Sequence, residues 1–155
     1  ALPDPNHAAY VKGNALWKQG RCKEAAHFFL IAVGEWPDDY QAWWALGNCY
    51  TELKKPRKAE DAFRRAIEAC GNSDRHELVF NLANTLFDQK RFAEAIVLYL
   101  EIPLGHRLSQ EAKETLLSLK TDPAPKPAHN VTACKLRLQI PNALLSAPAA
   151  GHLPF

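Results

Sequence analysis

Residues 42–70 read AWWALGNCYTELKKPRKAEDAFRRAIEAC and hold two apolar patterns separated by a charged turn. Within each pattern, apolar and small residues recur every three or four positions, which is typical of an amphipathic α-helix. The members are Ala42, Trp43, Leu46, Gly47 and Tyr50 in the first pattern, and Ala59, Ala62, Phe63, Ala66 and Ile67 in the second. Pro56 can open the second helix, because the N–H that proline lacks would be unpaired in a first turn. The stretch therefore predicts a helical hairpin.

The same hairpin pattern occurs three times along the chain. A shift of 34 residues places Gly13-Asn14 on Gly47-Asn48, and a further shift of 36 residues places both on Ala83-Asn84. The other columns of the repeat hold Leu16, Tyr50 and Leu86; Ala25, Ala59 and Ala95; Phe29, Phe63 and Tyr99; and Ala32, Ala66 and Ile102. A fixed period of this length indicates stacked helix pairs. We expect helices at residues 7–19, 22–35, 40–53, 57–69, 75–89 and 92–101.

The period, the Gly-Asn of the first helix and the Ala, Phe and Ala of the second resemble the tetratricopeptide repeat family over about residues 6–102. The resemblance implies an all-α, right-handed solenoid of helical hairpins, in which the first helix of each unit lines a concave surface. Cys22 in the first repeat and Pro56 in the second stand where the family usually has an aromatic residue. In the third repeat this position holds the aromatic residue Phe92. These departures are expected to weaken packing locally and to leave the fold unchanged.

The pattern changes after Pro103. Residues 109–120 read SQEAKETLLSLK and form one more amphipathic pattern, whose apolar side consists of Leu108, Ala112, Leu116 and Leu119. Because a solenoid exposes the apolar face of its last unit, we expect this helix to be a cap. Prolines are frequent from residue 121 onward, which predicts an extended tail. The expected organisation is three repeats with a capping helix in residues 1–120, followed by a Pro-rich tail in residues 121–155.

Composition and motifs point away from catalysis. The net charge of +2 gives no reason to expect nucleic acid as a partner. The histidines and cysteines are not spaced as metal ligands. The sequence also lacks a nucleophile elbow, a Walker loop and a dinucleotide fingerprint. We therefore expect a protein that is not an enzyme and that uses neither a metal nor a cofactor.

The sequence favours a cytoplasmic location. Its apolar runs are far shorter than the ~20 residues that a membrane-spanning helix needs, so no membrane insertion is expected. The start lacks a basic stretch followed by an apolar one, which predicts no signal peptide. The cysteines form no Cys-x-x-Cys pair, and those inside the helical patterns are expected to be reduced and buried.

The family resemblance also implies which side chains face the concave surface. These positions are Tyr10, Asn14, Trp17 and Lys18 in the first repeat; Gln41, Trp44, Asn48, Thr51 and Glu52 in the second repeat; and Glu77, Phe80, Asn84, Phe87 and Asp88 in the third repeat. Tyr10, Trp44 and Phe80 form a row of aromatic residues. The three asparagines form a ladder beside that row.

This surface predicts a peptide-binding groove. Asparagine both donates and accepts, so the ladder can pair with the N–H and C=O groups of an extended backbone. Aromatic walls provide apolar pockets for side chains. Alternatively, the asparagines serve the structure by bonding within or between helices. Some members of the family hold the acidic tails of heat-shock chaperones with a clamp of two Lys, two Asn and one Arg. We do not expect this clamp here, because only Asn14 matches it, and the other four positions hold Tyr10, Ala45, Glu77 and Asn81.

The expected function is a non-catalytic protein–protein interaction module that holds a short, extended, apolar segment. Glu52, Glu77 and Asp88 favour a mildly basic segment. Residues 131–155 fit that description, in the same chain or in a neighbouring copy, as a native ligand or as a fused partner peptide. Alternatively, this tail packs along the convex side or the capping helix. The alternative function is a bacterial secretion-type chaperone that holds a client protein, and an enzyme is a more distant one.

Overall fold

The computed structural model describes residues 5–103, 106 and 109–121, with side chains described up to Thr115. Seven α-helices lie in this part of the chain: α1 (Ala8–Lys18), α2 (Cys22–Glu35), α3 (Tyr40–Glu52), α4 (Pro56–Cys70), α5 (Arg75–Asp88), α6 (Phe92–Tyr99) and α7 (Ser109–Thr121). The all-α hairpin repeats are confirmed, with every predicted end within about two residues of the observed one. The tail predicted from residue 121 lies outside the described residues from residue 122 onward.

The chain divides into two compact units, one up to Leu78 and one from Val79 onward, so the boundary falls within α5. The first unit contains the two complete hairpins α1–α2 and α3–α4. The second unit contains the remainder of α5, together with α6 and α7. The third repeat therefore shares a unit with the helix that follows it.

Close contacts between glycine and phenylalanine set the spacing of the hairpin helices in the first unit. A Cβ atom at Gly13 would lie 2.8 Å from Cε1 of Phe29, and one at Gly47 would lie 2.5 Å from Cε1 of Phe63. Both rings are buried, so they have little room to move away. The columns of small and large residues seen in the sequence therefore meet in one contact inside each hairpin. Only glycine fits on the side of the first helix.

The turn inside each hairpin has the same backbone geometry in all three repeats. Its left-handed residue is Gly20 (φ 77°), Lys54 (φ 58°) or Lys90 (φ 62°). The next N–H donates to a carbonyl five residues earlier, in the pairs Arg21 to Leu16, Lys55 to Tyr50 and Arg91 to Leu86. This arrangement satisfies a carbonyl that the helix end leaves unpaired. Glycine adopts the left-handed conformation without strain, whereas the two lysines do so at a cost.

Two helix starts in the first unit have local causes. Helix α4 begins at Pro56 itself, and the side chain of Asp39 caps α3 by accepting from the backbone N–H of Gln41 at 3.0 Å. Cys49 and Cys70 are buried and Cys22 is half-buried, all as free thiols. Burial is thus confirmed for Cys49 and Cys70 and wrong for Cys22, which is the first residue of α2 and is partly open to solvent there.

The second unit has a core of its own. The buried apolar residues in its described part are Val79, Phe80, Leu82, Ala83, Leu86, Phe92, Ala95, Ile96, Tyr99, Ile102 and Ala112. Ala112 belongs to α7 and is fully buried, as expected of the helix predicted after Pro103. The other members of its predicted apolar side, Leu108, Leu116 and Leu119, lie outside the described side chains.

Candidate functional site

A pocket of about 310 Å³ lies in the first unit, between residues of α1 and α3. It is lined by Tyr10, Asn14, Trp17, Gln41, Trp44, Ala45 and Asn48. Six of these seven residues are among the predicted groove residues of the first two repeats. The seventh, Ala45, was not predicted as a groove residue. The spacing of Gln41, Trp44, Ala45 and Asn48, which follows one helix face, is the signal that could have found it.

Helical periodicity explains why these side chains converge. On α3, Ala42, Leu46, Gly47 and Cys49 are buried in the hairpin. The four pocket residues of this helix, Gln41, Trp44, Ala45 and Asn48, face another direction. On α1, Gly13 and Leu16 are buried in the same way. Five of the seven lining residues are therefore next in sequence to a buried one: Asn14, Trp17, Gln41, Ala45 and Asn48. The core thus fixes the direction in which these pocket residues point.

Tyr10 packs against a core residue. Its ring lies 5.7 Å from the ring of Phe29, in a tilted arrangement. Burial, and to a lesser extent the nearby carboxylate of Asp39, raises the pKa of Tyr10. Its hydroxyl therefore stays protonated at neutral pH and is available as a hydrogen-bond donor.

The adjacent tryptophans of α3 use their indole N–H groups differently. Trp43 donates to the carbonyl oxygen of Pro37 at 2.8 Å and stacks against Arg65, whose guanidinium lies 4.5 Å from the ring centroid. Trp44 lines the pocket, and its Nε1 is buried without an acceptor among the described residues. A buried donor without a partner is unfavourable for folding. The indole of Trp43 therefore stabilises the fold, whereas the buried N–H of Trp44 reduces the stability of the fold.

The asparagines of the three repeats are not equivalent. The side-chain carbonyl of Asn84 accepts a hydrogen bond from the hydroxyl of Tyr99, which is fully buried. Within the described part of the chain, the side chains of Asn14 and Asn48 form no hydrogen bond. The two asparagines that line the pocket thus keep their donors and acceptors available.

The remaining predicted residues of the first unit do not line this pocket. Lys18, Thr51 and Glu52 are exposed on α1 and α3. The hydroxyl of Thr51 donates to the carbonyl oxygen of Gly47 at 2.9 Å, within its own helix. Glu77 is half-buried in the first turn of α5.

The predicted residues of the third repeat make contacts inside the second unit. The ring of Phe80 lies 6.0 Å from that of Tyr99, and the ring of Phe87 lies 5.0 Å from that of Phe92. Asp88 is exposed. The two aromatic residues thus take part in packing between α5 and α6.

The pocket lining carries no charged side chain, so its interactions are hydrogen bonds and apolar contacts. Throughout residues 5–103, 106 and 109–121, no three His, Cys, Asp or Glu side chains are grouped so as to hold a metal ion. A search of the same residues finds no helix with the length and apolar character to cross a bilayer.

Stacked, repeated helical hairpins place the chain in the class of helical-repeat proteins. Two tetratricopeptide repeat models match the sequence, one over residues 10–74 and the other over residues 81–102. Together they cover more than half of the chain, which therefore belongs to the tetratricopeptide repeat family. Repeats of this family bind other proteins and are typically non-catalytic, so the chain is in general terms a protein–protein interaction module.

Among solved structures, the fold is similar to that of pilF from Pseudomonas aeruginosa, with a TM-score of 0.54 and 20% sequence identity. The match covers 73% of this chain and 50% of that one. The chain thus matches half the length of that structure, and the likeness concerns the fold. A comparison with curated protein sequences finds no match.

Proposed function

We propose that the pocket between α1 and α3 binds a short, extended segment of another protein. The observation that carries the proposal is the convergence of three aromatic side chains and two unbonded asparagine side chains on one pocket. The asparagines can pair with the N–H and C=O of a peptide backbone. Tyr10, Trp17 and Trp44 offer apolar surface, and aromatic residues of this kind dominate binding energy at interfaces.

The proposed ligand is apolar and uncharged where it enters the pocket, and neutral to mildly basic on its flanks. The lining is uncharged, so a charged group that enters would lose its hydration without gaining an ion pair. Acidic Asp39 lies close to Tyr10, and acidic Glu52 is exposed at the end of α3. Both favour a positive charge on the flanks of the ligand. The volume is near the lower end for ligand pockets, ~300–1,000 Å³, so the pocket accommodates part of a peptide rather than a folded domain.

The protein's own residues 131–155 are a candidate ligand, although they lie outside the described residues. Apolar Leu136, Leu138 and Ile140 alternate with basic Lys135 and Arg137. An extended segment with this pattern presents apolar side chains on one side and charges on the other. It therefore matches the pocket in polarity, in the same chain or in a neighbouring copy.

A random-peptide display library panned against the full chain tests the proposal. We expect it to yield apolar, neutral or basic peptides that bind saturably. Binding should be lost in Trp44→Ala and Asn48→Ala and kept in two matched controls away from the pocket, Leu30→Ala and Asn72→Ala. Leu30 is a large exposed apolar residue, and Asn72 is exposed in the turn before α5. Peptides that bind all four variants equally would contradict the proposal. So would recovery of no peptide both with the full chain and with a chain in which Leu136, Leu138 and Ile140 are replaced by serine.

The candidate ligand within the chain is tested separately with a triple Leu136→Ser, Leu138→Ser, Ile140→Ser variant. If residues 131–155 occupy the pocket of the unmodified chain, the triple variant should bind a library peptide more tightly, because its tail no longer competes. Equal affinities would remove the tail as a ligand and would leave the peptide pocket itself in place.

A further inference from the structure

In each repeat, an asparagine on the first helix is followed fifteen positions later by an aromatic residue on the second helix. Of these three aromatic residues, only Tyr99 carries a hydroxyl. The pairs are Asn14 with Phe29, Asn48 with Phe63, and Asn84 with Tyr99. In the third pair the hydroxyl of Tyr99 donates to the side-chain carbonyl of Asn84. Phenylalanine has no hydroxyl, so the first two pairs cannot form this bond.

The neighbouring column changes together with the aromatic residue. Gly13 and Gly47 precede the first two asparagines, and alanine, Ala83, precedes the third. A Cβ atom at Gly47 would lie 2.5 Å from Cε1, 2.7 Å from Cδ1 and 2.8 Å from Cζ of Phe63. The phenylalanine ring thus occupies the space that an alanine methyl group would take. Glycine with phenylalanine and alanine with tyrosine are two alternative packings of the same hairpin.

We infer that Phe29 and Phe63 are specificity-determining residues, because they leave the side chains of Asn14 and Asn48 open for a ligand, whereas Tyr99 closes Asn84. This inference rests on the proposed peptide-binding function and deepens it. Of the three asparagines, only Asn14 and Asn48, which line the pocket of the first unit, bind the peptide backbone. The ladder of three asparagines expected from the sequence is thus reduced to two.

The open asparagines also define the class of ligand. A free carboxamide offers one acceptor oxygen and two N–H donors. It can therefore bind the C=O and the N–H of one peptide residue at the same time. The inferred ligand has an extended backbone with a free N–H at the contacting residues. Proline or an N-methylated residue at such a position removes that N–H and weakens binding.

Phe63→Tyr tests the inference, with Tyr99→Phe as the matched reverse change. The probe is the tightest peptide that the display library yields. In Phe63→Tyr the new hydroxyl should bond Asn48 and reduce peptide affinity by about five- to tenfold, since tenfold corresponds to about 1.4 kcal/mol. Tyr99→Phe should leave affinity unchanged. Because the glycine packing sets the position of the ring, the double variant Gly47→Ala, Phe63→Tyr reproduces the third pair completely and is measured as well.

A double-mutant cycle separates closure of Asn48 from a general disturbance of the hairpin. The affinity loss caused by Phe63→Tyr should disappear when Asn48 is already alanine. An equal loss in both backgrounds, or unchanged affinity in both the single and the double tyrosine variant, would overturn the inference.

The free protein provides a readout that does not depend on the proposed function. With no peptide present, the stability change caused by Phe63→Tyr should depend on whether position 48 is asparagine or alanine. If the library yields no pocket-specific peptide but this coupling is present, the proposed function fails and closure of Asn48 by a hydroxyl stands. If the coupling is absent in the single and the double tyrosine variant, the inference fails whatever binds in the pocket.

Discussion

Replacing each of the adjacent tryptophans with phenylalanine separates an indole N–H that stabilises the fold from one that makes no hydrogen bond within it. Trp43 has a carbonyl acceptor at 2.8 Å and a guanidinium 4.5 Å from its ring centroid. Trp44 has a buried indole N–H without an acceptor among the described residues. Both substitutions remove one N–H and a few apolar carbons from consecutive positions of α3. Their effects on stability should nevertheless differ in size and even in sign.

The magnitudes follow from the contacts. For Trp43→Phe, we expect a loss of about 1 kcal/mol for the hydrogen bond, about 0.5–1 kcal/mol for the stacked guanidinium and about 1 kcal/mol for the apolar carbons. The free energy of unfolding should therefore fall by about 2.5–3 kcal/mol. For Trp44→Phe the apolar loss is similar, but relief of an unpaired buried donor returns about 1–3 kcal/mol. The expected result lies between no change and a gain of about 2 kcal/mol.

Urea denaturation of the full chain, followed by far-ultraviolet circular dichroism, measures both changes on the same scale. The midpoint of Trp43→Phe should be clearly lower than that of the unmodified protein, and that of Trp44→Phe should be equal or higher. A Trp44→Phe variant as destabilised as Trp43→Phe would refute the reasoning, because the indole N–H of Trp44 would then contribute to folding.

Three further predictions concern stability. Gly47→Ala should cost about 1–2 kcal/mol, because its methyl group would overlap a buried ring. Gly34→Ala in α2, where an added Cβ would meet nothing within 4 Å beyond its chain neighbours and its own helix backbone, should gain up to about 1 kcal/mol, and thermal denaturation compares the two. Tyr99→Phe should cost about 1–3 kcal/mol, because the buried carbonyl of Asn84 loses its donor; a loss below the error of urea denaturation would contradict this. Burial, with a smaller effect of a nearby thiol, raises the pKa of Cys49 to about 12, above the value of about 8.5 for an unfolded chain. The stability that the buried, protonated thiol contributes is therefore fully present below pH ~8.5 and is lost as the pH rises toward about 12. Over this interval the urea midpoint should fall less steeply in Cys49→Ala than in the unmodified protein.

The fold could be predicted from the sequence because it rests on short-range rules that repeat. Small and large residues at a fixed period mark where two helices meet. Pro56 marks a helix start, and glycine at position 20 marks a left-handed turn residue. The turn at Lys54 has the same geometry without a glycine. The repeat, rather than local propensity, predicts that turn.

The candidate site could be predicted in part. The family resemblance, carried over by position from the Gly or Ala column, implied six of the seven residues that line the pocket. The sequence could not show that Trp43 has an acceptor and Trp44 has none, since that depends on a carbonyl at Pro37 and on side-chain rotamers. The phenol of Tyr99 stood in the same column as two phenylalanines. Its bond to Asn84 appears only when both helices are placed.

The central claim is that the pocket of the first unit binds a peptide backbone through Asn14 and Asn48, and a nitrogen-15 NMR titration tests it most directly. The side-chain NH₂ signals of asparagine and the indole N–H signals of tryptophan report on the relevant groups individually. On saturation of the full chain with a display-selected peptide, the signals of Asn14, Asn48 and Trp44 should shift together along one binding curve. Those of Asn84 and Trp43 should stay in place. Shifts confined to Asn84 or Trp43, or saturable binding that leaves Asn14 and Asn48 unmoved, would contradict the account.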